Sequence, residues 1–204
     1  MEKLEPSRKA ETLLKDLNAL ESLPHQASDD ENSAIKHIIS TFFPSLSRLK
    51  TDTGLNLYFG RQVRKAVQFP CVWSHHTGYT PILAYVSRSQ LAARCKNRLL
   101  PANADRDPYI IAILLAMAQA RFYDEPVSRP PSHGGRQLNC TPAPFRDITV
   151  QVITHDGHGD AAKLVVYTAV VTATFLTHFM MPHKGPSSRD GSTGMDISYT
   201  PVRV

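Results

Sequence analysis

The sequence predicts an α+β fold: an antiparallel sheet packed around one buried central helix, with an N-terminal helical arm. Three observations predict it. Asp107–Tyr123, DPYIIAILLAMAQARFY, opens with a carboxylate cap and a proline at the first helical position. From Tyr109 to Ala118 its only polar side-chain group is the tyrosine hydroxyl; a helix apolar all round belongs inside a domain, and this one is too short to cross a bilayer. On either side lie short apolar or alternating runs bounded by turn residues, which read as strands. Their order of strands, helix, hairpin and helix favours α+β over a doubly wound α/β fold.

In chain order, residues 7–23 read as an amphipathic helix. Ser7 caps it, Ala10, Leu13, Leu14, Leu17 and Leu20 recur at helical spacing, and Pro24 ends it. The polar run HQASDDENS is a linker. A second helix over about 31–43 carries Ile35, Ile38, Ile39, Phe42 and Phe43 on one side and stops at Pro44. Residues 1–47 hold 5 basic and 8 acidic groups, whereas 48–106 hold 10 and 2. That change of sign divides the chain into a separable helical arm, 1–47, and an α+β domain, 48–204.

Leu55, Leu57 and Phe59 alternate with polar neighbours in a strand that Gly60 ends, and Arg61–Lys65 is a basic connector. Val67–Ser74 and Pro81–Ser87 are strands joined through HHTGY as a hairpin. Ser87–Cys95 is a short helix, and NRLLPANADRDPY is an irregular approach to the central helix. Residues 124–144, rich in proline, glycine and serine, form a long mobile loop. Ile148–Thr154 and Lys163–Val171 form an antiparallel hairpin across HDGHGDAA. Thr172 caps a short helix with Phe175, Leu176 and Phe179 inward, 182–195 is polar, and Met195–Val204 is an edge strand with Ile197 and Tyr199 on one face.

Length and composition suit one domain with tails: 204 residues, 42% hydrophobic, 20% charged, 15 prolines. Cys71, Cys95 and Cys140 are widely spaced with no CxxC pair, as in a reducing compartment. The N-terminus lacks an apolar leader core, so a cytoplasmic location is expected. The net charge of +5 is concentrated before the central helix. Arg61, Arg64, Lys65, Arg88, Arg94, Lys96 and Arg98 are the candidate footprint for a polyanion; the alternative is a solvated surface.

Polar groups gather where the irregular approach meets the central helix. Backbone N–H groups at a helix start can bind phosphate or carboxylate, with Arg106 beside them, and Asp105 can pair with a guanidinium. Asn103, Asp105, Arg106, Asp107 and Tyr109 are therefore candidate substrate-binding residues, with Gln119 at the polar end of the helix. The alternative for Asp107 is simple capping. His155, Asp156, His158 and Asp160 form a second group: a metal there is disfavoured, and His155 and His158 are candidate acid–base residues because histidine titrates near neutral pH. His75 and His76 sit in a turn, Cys71 reads as buried filler, and Ser74, Ser87 and Ser89 lack a G-x-S-x-G setting. Tyr167 interrupts an apolar run, and its hydroxyl needs a partner. No Walker A loop, no G-x-G-x-x-G after a strand and no D/E-x-K triplet is present, which excludes standard nucleotide sites and a restriction-type metal nuclease.

RLLPANADRDPYIIAILLAMAQ, with DITVQVITHD, KLVVYTAVVTATFLTHF and MDISYTPV, resembles a fungal family of small proteins usually labelled hypothetical, and the likeness runs from about Leu55 to the C-terminus. That group is associated with the arginine-containing cyclodipeptide synthases, which join arginine to a second amino acid, both taken from aminoacyl-tRNA, and close a diketopiperazine in secondary metabolism. The resemblance implies aminoacyl-tRNA as partner, no cofactor because the ester is already activated, and neither membrane nor DNA binding. It assigns no catalytic residue. The basic segment would follow the tRNA backbone. Arginine recognition would draw on Asp105, Asp147, Asp156 or Asp160. His155 or His158 would deprotonate the attacking amine, and N–H groups at the helix start would stabilise the oxyanion. The competing readings are a non-catalytic RNA- or protein-binding module with a basic surface and a small-molecule biosynthetic enzyme.

Overall fold

A computed structural model describes residues 28–49, 54–60, 62–67, 71–76, 78, 80–88, 91, 107–123, 142–156, 163–183 and 194–203. Within them the chain is α+β, with three helices, α1 (Ser28–Phe42), α2 (Pro108–Ala120) and α3 (Ala173–Met180). The strands are β1 (Leu46–Arg48), β2 (Leu55–Phe59), β3 (Gln62–Val67), β4 (Cys71–His75), β5 (Pro81–Ser87), β6 (Ile148–Asp156), β7 (Lys163–Val171) and β8 (Met195–Arg203).

Six strands form one sheet in the order β1-β4-β5-β6-β7-β8, and β2 and β3 form a separate hairpin. The sheet is mixed rather than antiparallel as expected: β5 and β6 are parallel, from Leu83 opposite Gln151 to Ser87 opposite His155. A parallel pair needs a crossover, and the connection from β5 to β6 contains α2. The last turn of α2 is tied to the entrance of β6. The Ala143 N–H donates to the Phe122 carbonyl at 2.9 Å, and the Phe122 and Phe145 rings meet edge to face at 5.2 Å. The helix thus returns from the carboxyl edge of the parallel pair toward the amino end of β6.

The expected basic connector at 61–65 is largely strand β3. Gly60 adopts φ +61, a left-handed conformation open to glycine, which closes a two-residue loop between Phe59 and Gln62. The hairpin lays Leu55, Tyr58 and Val63 on one side of α2, while Ala84, Val150 and Val152 of the sheet meet the other. From Ile113 to Gln119 the helix is buried, but Ile111 is 39% exposed, so an uncovered stripe remains along its first turns.

Helix α1 packs on the opposite face of the sheet. Ile35, Ile38 and Ile39 cluster with Cys71, Trp73, Leu83 and Tyr85. The helix read as part of an arm is therefore continuous with the core, and residue 47 falls inside β1, which pairs with β4. Helices on both faces explain why β4 and β5 read as continuous apolar runs: Val72, Ala84 and Val86 face α2 while their neighbours face α1. The helix expected over Ser87–Cys95 does not begin at Ser87, which ends strand β5; helix 7–23, the 25–27 part of the linker, most of 88–95 and all but 142–144 of the loop 124–144 lie outside the described residues.

The C-terminal half follows the sequence pattern. β6 and β7 pair from Ile148–Val171 to Asp156–Lys163, and β8 pairs with β7 at the sheet edge. Thr172 caps α3 by accepting from the Phe175 N–H at 3.2 Å. Leu176 is buried, whereas Phe175 and Phe179 pack only half-buried against the core.

Candidate functional site

Five polar side chains are buried among the described residues: Ser74, Ser87, Gln119, Thr154 and His155. Three of them, Ser87, Thr154 and His155, share one edge, the carboxyl ends of the parallel strands β5 and β6. Buried polar groups are costly unless they are hydrogen-bonded, and three of them stand on these two adjacent strand ends. In α/β sheets, the crevice outside the carboxyl ends of parallel strands is where ligands bind.

Strand alternation divides the edge between two faces. Ser87 and His155 lie opposite one another in the parallel register, on the α1 side with Leu83, Tyr85 and Ile153. Ser87 is 2% exposed and His155 5%. Val86, Arg88 and Thr154 lie on the α2 side. Arg88 is half-buried, and its Nη2 donates to the Tyr167 hydroxyl in the adjoining core. This supplies the partner that the buried Tyr167 requires, and it directs a cation expected at the surface back under the sheet. The Thr154 hydroxyl is fully buried between Val86 and Val165 and makes no hydrogen bond among the described residues.

The helix-start candidates resolve into a cap. Asp107 has extended backbone, and its Oδ1 accepts from the Tyr109 N–H at 2.8 Å. Its backbone carbonyl accepts from Ile110 and Ile111. An anionic side chain already occupies the N-terminus of α2, so a second anion there would meet like charge. Tyr109 is half-buried against the core. Asn103, Asp105 and Arg106 lie outside the described residues.

Gln119, expected to face a pocket, lies inside the core. Its Oε1 accepts from the Tyr58 N–H at 2.9 Å and its Nε2 donates to the Tyr58 carbonyl at 2.8 Å. The amide thus pairs with β2 as a neighbouring strand would, and both of its ends are occupied by backbone. The Tyr58 ring stacks on Tyr123 with centroids 3.9 Å apart.

His158 lies outside the described residues, as do Asp160 and the Asp156 side chain. Among the described residues no group of three or more His, Cys, Asp or Glu could hold a metal ion. Of the aspartates weighed for arginine recognition, Asp147 is described. Its Oδ1 accepts from the Ala173 N–H at 2.8 Å, so it helps to cap α3. Of the candidate tRNA cations, Arg88 alone has a described side chain; Arg64 and Lys65 are placed on β3 by their backbone, and Arg61, Arg94, Lys96 and Arg98 fall outside. His75 and His76 are exposed at the other edge of the sheet, where His76 Nε2 contacts the Pro44 carbonyl. Cys71 is a buried free thiol, and burial pushes its pKa up, against the opposing pull of Lys36 and Arg48. A thiol held protonated is a poor nucleophile.

The sequence singles out His155 and leaves Ser87 as one of three serines. What separates Ser87 from the others is the parallel pairing of β5 with β6, a long-range contact with no local signature. No helix among the described residues is long and apolar enough to cross a membrane. No family model matches the chain, and no curated protein and no solved structure does either.

Proposed function

We propose that this protein is an aminoacyl-tRNA-dependent cyclodipeptide synthase that joins arginine to a second amino acid, with its chemistry at the carboxyl edge of β5 and β6. The resemblance of residues 98–119, 147–156, 163–179 and 195–202 to the fungal family carries the activity. The buried polar edge at Ser87, Thr154 and His155 supports the location. His155 acts as the base that takes a proton from the attacking amine. The +8 excess over residues 48–106 supplies the attraction for tRNA. An aminoacyl ester needs no further activation, which accords with a chain that has no Walker A motif. Such a substrate sets the reaction in the cytoplasm.

The test is expression in a bacterial host followed by mass spectrometry of the medium. Arginine-containing diketopiperazines absent from a vector control are the expected result. Folded protein that yields none overturns the reading. A salt-sensitive shift of tRNA by protein that makes no product would point instead to a binding module.

A further inference from the structure

We propose that the tip of the β2–β3 hairpin, packed against the last turn of α3, is a docking surface for single-stranded RNA, with Phe59 stacking on a base and the cations of residues 61–65 neutralising its phosphates. Along β2, Tyr58 turns inward and stacks on Tyr123, whereas Phe59, the next residue, is 51% exposed. Phe59 is not a stray surface ring. It meets Phe179 edge to face at 5.9 Å, and Phe179 meets Phe175 at 5.0 Å. Those two rings are half-buried against the core. Three aromatic rings in series thus reach from the core to solvent. Backbone fixes the arrangement: the Gly60 N–H donates to the Phe179 carbonyl at 2.7 Å, which ties the hairpin loop to α3. A ring already held in place takes a stacked base without the entropic cost of being ordered on binding.

Charge decides which partner fits. The segments that build the patch, 54–67 and 173–183, contain no aspartate or glutamate. The first carries Arg61, Arg64 and Lys65. In the β2–β3 register Arg64 stands opposite Leu57 and Lys65 opposite Asn56, just beyond Gln62, the partner of Phe59. The second carries His178 in the last turn of α3 and the exposed His183. Asp147 serves the opposite end of that helix, where it accepts from the Ala173 N–H. Exposed aromatic rings among cations suit a polyanion that has π faces of its own. An acidic peptide would engage the cations and leave the ring idle. Bases in a duplex are already stacked on one another, so a single strand is the form that can offer one to Phe59. The aminoacylated end of a tRNA is such a strand; that identification rests on the cyclodipeptide synthase reading, but the surface itself is tested without it.

The experiment titrates the purified full-length chain into a fluorescein-labelled single-stranded oligouridine and reads anisotropy over a range of salt concentrations, with a labelled RNA duplex alongside. Tighter binding of the single strand is expected. Phe59→Ala should weaken it at least about 5-fold, and Phe59→Tyr, which keeps the ring, should not. Phe59→Leu keeps an apolar side chain without a π face and should bind as weakly as Phe59→Ala. Replacing Arg61, Arg64 and Lys65 by Gln should flatten the slope of log K against log salt by about 0.7 for each cation removed. If that triple variant fails to fold, Arg61→Gln, which lies between the two strands, reads the change for one cation. Folded protein that binds no single strand, a preference for duplex, undiminished affinity in Phe59→Ala or Phe59→Leu, or an unchanged salt slope overturns the surface. RNA binding that depends on Phe59, in a protein that makes no diketopiperazine, leaves the surface standing and removes the synthase reading. Diketopiperazine formation by a protein that binds no single strand overturns the surface and leaves that reading intact.

Discussion

At the residue scale, the five buried polar side chains separate into two kinds. Gln119 is wholly committed to the Tyr58 backbone through two hydrogen bonds. Gln119→Leu would leave a buried N–H and a buried carbonyl of β2 without partners, each costing about 1–3 kcal/mol. We therefore expect a loss of several kcal/mol in urea unfolding, with any surviving folded fraction still able to turn over. A stable Gln119→Leu protein that had lost activity alone would instead put the amide at the site. The sequence made Gln119 visible as the first polar residue after an apolar run. It could not say that the amide faces β2, because the partner lies 61 positions away. The capping reading of Asp107, set beside a substrate-binding one, was legible because a cap is specified by its own neighbours, and its carboxylate accepts from Tyr109 two residues on.

At the scale of elements, local pattern sufficed wherever an element reads one way. The apolar run of α2, the alternation of β6 and β7, and the Thr172 cap all follow from neighbours within a few residues. β3 was missed because Arg64 and Lys65 look like a connector when read singly; the pairing with β2 makes them a strand. The parallel pair was missed for a related reason, as an apolar run such as Pro81–Ser87 carries no mark of strand direction. Uniform apolarity also overstated the burial of α2. Leu114 is fully buried and Ile111 is 39% exposed. Leu114→Ala should cost about 2–5 kcal/mol and Ile111→Ala less than about 1.5 kcal/mol in chemical unfolding. Equal losses would contradict the packing of the helix between hairpin and sheet.

At the scale of the whole molecule, the layers gather three buried polar residues at one sheet edge. α1 covers one face and α2 the other, and the crossover through α2 leads into the parallel pair, in whose register Ser87 lies opposite His155. Charge patterning raised the expectation of a polyanion partner, and the proposed reaction came from the resemblance alone. Neither could locate the site, because the residues that meet there come from strands more than sixty positions apart. His155 is buried at this edge, opposite Ser87 on β5 and Leu164 on β7. The most direct measurement is the initial rate of arginine-containing diketopiperazine formation by purified protein supplied with aminoacyl-tRNA, wild type against His155→Gln at matched thermal midpoints. The account predicts product from the wild type and a rate at least about 100-fold lower in the variant; equal rates, or no product from folded wild type, would contradict it.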